Sequence, residues 1–299
     1  MRKLPVSPRK IISLVRDVRK LAESARRVAV IGSEPGAMDA VKTALVGDAA
    51  VRAASTLLDT ILLEDGAAVL PGRLNGSTGL AVVVASGSEL ASGQLTERLK
   101  NIDAKGIPAV LVLSEAPGIE LAFPFAGVGP KRVVGVGPGG RVPADVLAGA
   151  VVDAAGDGAV ALAAELPALR QEACRQLIRK TSRQNAVVGA LFFLPGADMP
   201  VMTMNQAKMV LKIAAAHGEQ VSTDRALELL SIVGAGFGFR AAARQALDLL
   251  PGPGWVVKGG IAYGGTQAVG RAAQAYFNGD ARVTPAKLEP LASRLRHPR

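Results

Sequence analysis

The chain has 299 residues, of which 49% are hydrophobic and 20% charged, a composition that folds and a length that admits two ordinary domains. One cysteine, Cys174, and two histidines exclude a disulfide framework and Cys- or His-rich metal sites, and no metal is expected. Aromatic residues make up 3%, too few for base-stacking platforms, so nucleic acid is not expected as a partner.

The net charge of +10 is spread unevenly. Residues 1–27 carry nine basic and two acidic groups, residues 28–167 nine and fifteen, and residues 168–299 seventeen and eight. An acidic middle between basic ends points to separate modules, the basic ones facing an anionic partner such as lipid headgroups or another protein. Residues 1–26 read as a basic amphipathic segment. In its helical part, 8–26, Ile11, Ile12, Leu14, Val15, Val18 and Leu21 line one side among Arg9, Lys10, Arg16, Arg19 and Lys20. Such a helix docks on a membrane surface or packs on its own domain. No apolar stretch with a small-residue cleavage site follows it. The longest uncharged runs, 74–88 and 184–197, fall short of the roughly 18–20 residues of a spanning helix.

Residues 27–160 alternate apolar strand runs with helical patterns. Arg27–Ile31 enters the turn GSEPGA, and a helix is predicted over 38–46. Ala67–Leu70 reads as a weak strand and Leu80–Ala85 as a strong one. A single helix is predicted over 89–104, strands over 108–113 and 132–136, and a helix over 143–155. Continuous apolar strands separated by helices predict a largely parallel sheet covered on both faces, an α/β domain. From about residue 161 the strand signal ends. Helices are predicted over 162–188, 201–217, 223–233, 240–250 and 255–277, an all-α helical bundle domain spanning 161–280, and residues 281–299 read as a loose basic tail. Gly234 and Gly238, and Gly260 and Gly264, stand four apart, a spacing that lets helix backbones approach closely in a membrane, a tight bundle or a homo-oligomer.

A strand, a Gly-containing turn and a helix are where a mononucleotide-binding fold cradles phosphate. The phosphate-loop pattern is G-x-x-x-x-G-K-[ST], and the chain reads G-S-E-P-G-A-M-D from Gly32. Ala37, Met38 and Asp39 stand in the second glycine, lysine and hydroxyl slots, while Glu34 and Asp39 put carboxylates where a polyphosphate would lie. Gly32 and Gly36 are read as a vestigial phosphate turn or as glycines that a strand-to-helix turn needs. The succession of strands and helices after Leu80 follows the order of a GTPase G domain. The guanine-reading N-K-x-D slots of such a domain hold Ser114, Glu115, Ala116 and Pro117, and its D-x-x-G slots map to Arg73–Gly76, with Arg73 in place of the metal-side aspartate. The P-loop NTPase-like α/β domain is therefore read as degenerate.

The segment Arg183–Gly218, RQNAVVGALFFLPGADMPVMTMNQAKMVLKIAAAHG, resembles the uncharacterised YcjF-like helical domain family, which is often attached to Era-like GTPase domains. The residues carrying the resemblance are Gln184 and Asn185, Pro195, Gly196, Ala197 and Asp198 with Pro200, then Gln206 and Met209. GAGFGFRAAARQ (234–245) and residues 251–277 resemble its closing helices. The resemblance implies a G-domain-like first part and a helical, membrane-associated second part, and no known reaction. Asp198 reads as the cap of a helix with Pro200 in its first turn, Gln184 and Asn185 as hydrogen-bonding groups across the bundle, His217 as a cation at a helix end and Cys174 as an inert thiol.

The expectation is a cytoplasmic, membrane-peripheral pseudo-GTPase that uses no cofactor and acts on a protein partner or an anionic membrane surface. The alternatives are a GTP-binding switch with unorthodox phosphate contacts and a homo-oligomeric scaffold.

Overall fold

The computed structural model describes residues 8–24, 27–46, 57–63, 74, 76–114, 125–191, 199–222 and 254–279. The chain forms two compact units. One holds residues 16–176 with 215–220, and the other holds residues 1–15, 177–214 and 221–299.

The first unit is built on five parallel strands: β1 (Arg27–Gly32), β2 (Leu58–Leu62), β3 (Thr78–Ser86), β4 (Ala109–Ser114) and β5 (Val133–Gly135), in the spatial order β2-β1-β3-β4-β5. Parallel strands need crossovers: α2 (Pro35–Val46) lies between β1 and β2, α3 (Gly87–Ala91) and α4 (Gln94–Ala104) lie between β3 and β4, and α5 (Ala144–Ala155) follows β5. Because successive strand residues point to opposite faces, Ala29, Ile31, Ala81, Val83, Leu111 and Leu113 form one core with Leu95, Leu99 and Ile102 of α4. The alternate residues Val28, Val30, Val82, Val84, Val110 and Val112 are as deeply buried. The central strands are apolar throughout because both faces are covered.

Several boundaries differ from the pattern in the sequence, among them the end of the first helix at Ala22 instead of residue 26. Helix α2 starts at Pro35 rather than near residue 38, because proline fits the first helical position. The helix predicted over 89–104 is two, α3 and α4, separated where Gly93 takes φ +78°. The stretch predicted to begin at 162 is also two, α6 (Ala159–Glu165) and α7 (Arg170–Leu191), parted by a 3-10 turn at Pro167–Leu169. Pro167 cannot continue α6, and the Arg170 guanidinium donates to the freed carbonyls of Ala163 and Ala164 at 3.1 and 3.0 Å. Strand β2 has no counterpart in the sequence reading, and Ala67–Leu70 lies outside the described residues.

Helix α1 (Pro8–Ala22) buries Ile11, Leu14, Val15 and Val18, so its apolar stripe is used within the protein, while Ile12 is exposed. Among the described residues one stretch, Ala144–Glu165, is long and apolar enough to cross a membrane, with mean hydropathy 1.6. It is interrupted by a 3-10 turn at Gly156–Gly158, and its Asp153 accepts from Arg132 at 2.9 Å. Leu147, Val151, Val152 and Leu162 are buried, which marks core helices of the α/β unit.

In the second unit the described helices are α1 up to Val15, α7 from Leu177, α8 (Met199–Ala216) up to Ala214 and α9 (Gly254–Phe277). Helix α8 is buried nearly all round, with Val201 and Lys208 among its few exposed residues. Helices α7 and α9 run antiparallel at backbone contact. A Cβ at Gly189 would meet Ala262 Cβ at 2.8 Å, one at Gly259 would meet the Ala186 carbonyl at 3.2 Å, and one at Gly270 would meet Ile178 Cγ1 at 2.5 Å. The glycines that let these helices close up are therefore 189, 259 and 270. Gly260 and Gly264 have open space around them, and Gly234 and Gly238 lie outside the described residues.

Candidate functional site

In an open parallel sheet ligands bind outside the carboxyl ends of the strands, where the strand order reverses. Here that point lies between β1 and β3. The connection leaving β1 consists of Ser33 and Glu34 alone, because α2 already begins at Pro35. Two residues are too few to fold a nest of backbone N–H groups around a phosphate, for which the phosphate-loop pattern allots four residues between its glycines. Gly32 is required sterically: a Cβ there would lie 2.9 Å from the Val84 carbonyl and 3.2 Å from Met38 Cγ. Gly36 stands in the first turn of α2 with nothing within 4 Å of a Cβ, so neither space nor backbone calls for glycine.

Glu34 immediately precedes α2, where a carboxylate complements the helix dipole. The Ser114 hydroxyl, at the end of β4, donates to Glu34 Oε2 at 3.1 Å and lies 3.4 Å from the Ala85 carbonyl. Since β3 lies between β1 and β4, this bond spans the end of β3 and crosses the position a ligand would take. Asp39 pairs with Lys42, so the lysine one turn further along α2 is engaged within its own helix.

A second polar group lies at the end of β3. Ser86 caps α3, with its hydroxyl accepting from the Glu89 N–H at 3.4 Å and its own N–H donating to Glu89 Oε2 at 3.0 Å, a reciprocal capping box. Glu89 Oε1 accepts from Arg98 Nη2 at 3.0 Å. Arg98 is 1% exposed on the core-facing side of α4, and its Nε and Nη1 have no partner among the described residues. The sequence reading missed these residues, although S-x-x-E at 86–89 is the capping-box signature.

In the helical unit Asn185, Gln206 and Thr266 are fully buried and joined. Asn185 Nδ2 donates to Thr266 Oγ1 at 3.0 Å and to the Met202 carbonyl at 3.5 Å, and Asn205 Nδ2 donates to Asn185 Oδ1 at 2.8 Å. Gln206 Nε2 donates to Thr266 Oγ1 at 2.9 Å, and that hydroxyl donates to the Ala262 carbonyl at 2.7 Å. Thr266 thus fills the donor and both acceptor positions of its hydroxyl. Asn185 bonds from α7 to α8 and α9, and its neighbour Gln184 is exposed. Pro200 stands in the first turn of α8 as expected, while Pro195, Gly196 and Asp198 lie outside the described residues, as do Glu115–Pro117 and Arg73. His217 follows α8 and precedes Gly218, whose φ of +81° closes the helix. Burial pushes the Cys174 thiol up to about 12, which makes it unreactive at neutral pH. Among the described residues no group of three or more His, Cys, Asp or Glu side chains converges.

The fold is thus a parallel α/β unit in the N-terminal part followed by a mostly helical C-terminal part. A family model described as Domain of unknown function (DUF697) matches residues 154–291, which supports an uncharacterised helical domain in the C-terminal part. No curated protein and no solved structure matches the chain.

Proposed function

We propose that this chain is a pseudo-GTPase: a degenerate G-like α/β domain joined to a YcjF-like helical domain, acting by protein or membrane-surface contact and not by GTP hydrolysis. The observation that carries the reading is the two-residue connection after β1, with the Glu34 carboxylate bonded to Ser114 across the end of β3. A phosphate at this position would meet a negative charge in place of the ammonium and the folded amide nest that phosphate sites use. The slots that hold Met38, Asp39 and Pro117 support the same reading, since none of these side chains supplies what the lysine, the magnesium-binding hydroxyl and the guanine-reading aspartate of a G domain supply. The basic ends of the sequence support a role at an anionic surface. The test is phosphate release from GTP and magnesium by the full chain, alone and with anionic vesicles. The expected result is release no faster than in buffer under both conditions, and release proportional to protein concentration would contradict the proposal.

A further inference from the structure

From Ala173 to Ala197 the chain carries four cations and no carboxylate. In the helical unit α7 brings part of this segment to the surface in order. Arg179, Arg183, Val187 and Leu191 recur every fourth residue and are all exposed, Val187 at 57% and Leu191 at 66%. Residues four apart share one face of a helix, so this face is cationic in its first half and apolar in its second. Arg183 and Leu191 are separated by about 12 Å along the axis. The hydrogen bonds from Asn185 to Met202 and from Asn205 to Asn185 hold the start of α8 beside the last turns of α7. This places the exposed Val201 at the apolar end too. The sequence that links the two helices opens with Phe192, Phe193 and Leu194.

A bilayer interface has the matching gradient, with anionic headgroups outside and hydrocarbon within. Amphipathic elements seat their apolar side about 5–10 Å into that boundary, and lysine or arginine side chains at its edge keep their charges in the headgroups. An acidic protein surface would match the arginines and leave the apolar half unaccommodated. We infer that the apolar end of α7, with the start of α8, is a docking surface for an anionic phospholipid bilayer. Arg179 and Arg183 sit at the phosphates, and Val187 and Leu191 lie below them. This rests on the membrane-surface reading above and adds to it the surface that makes the contact.

The test is flotation of the full chain with vesicles of phosphatidylglycerol and phosphatidylcholine in equal parts, and with phosphatidylcholine alone. Three proteins are compared: wild type, Arg179→Gln/Arg183→Gln and Val187→Ser/Leu191→Ser. All four positions are exposed, so melting curves should coincide. The expected result is wild-type binding to the anionic vesicles, weakened roughly 30-fold by loss of two arginines and roughly tenfold or more by loss of the two apolar side chains. As a second readout, a polarity-sensitive dye on Leu191→Cys should shift to the blue with the anionic vesicles, the native Cys174 being buried. Wild-type flotation matched by both variants, with no dye shift, would overturn this surface and leave the membrane reading standing. Failure of the wild type to float with either vesicle would overturn both and turn the search to acidic proteins.

Discussion

Thr266 ties three helices with one hydroxyl. It takes Asn185 from α7 and Gln206 from α8 and returns its proton to α9. Replacing it by valine keeps the shape and strands two buried amide N–H groups, each costing about 1–3 kcal/mol. Thr266→Val should therefore lower the urea midpoint of the helical unit, whereas Thr266→Ser should retain most of the stability. Equal midpoints for the two variants would show that the hydroxyl is not the junction. Asn185 was legible because an amide in an otherwise apolar helical run must find a partner. Its partner was not legible, because Thr266 is 81 positions away and resembles any other threonine. Glu34 and Ser114 pose the same difficulty: their sequence signal was the absence of a phosphate-loop lysine, and the bond joining them exists only once β1 and β4 share a sheet.

At the scale of elements, the pairing of α7 with α9 separates two kinds of glycine. Gly189 and Gly270 have no room for a Cβ, so alanine at either should overpack the contact and cost about 1–3 kcal/mol. Gly260 and Gly264 face open space within α9, where alanine raises helix propensity by up to about 1 kcal/mol. Thermal melts of the four single variants should accordingly split into two lowered and two unchanged or raised, and four equal shifts would contradict the packing. The four-residue spacing in the sequence drew attention to Gly260 and Gly264, yet the contact uses Gly259 and Gly270. Spacing alone cannot say which way a stripe faces, and here Ala262 and Thr266 on the contacting face decide it. Strands β1, β3, β4 and β5 were legible as β-branched and apolar runs. Strand β2, LDTIL, was not: it is an edge strand with one buried residue, and that leaves little pattern to read. The helix breaks at Gly93 and Pro167 were written in residue types whose backbone preferences the apolar periodicity outweighed in the reading.

For the whole molecule, the division into a parallel α/β part and a helical part was legible from the point at which strand signals cease. The boundary between the two units falls inside α7, after Gln176: the first turns of that helix belong to the sheet unit and its later turns to the bundle. Periodicity runs through a continuous helix without a mark at such a point. The central claim is the proposal made for the α/β part: with Glu34 at the start of α2 and a two-residue connection after β1, we propose that the switch point of the sheet holds no nucleotide. Its most direct test is the melting temperature of the full chain with millimolar GTP and magnesium against magnesium alone. A ligand present at a hundred times its Kd adds about 2.7 kcal/mol, which moves the melting of a domain this size by several degrees. The account predicts coincident curves. A reproducible rise with GTP, absent with magnesium alone, would contradict it and restore the nucleotide-dependent switch.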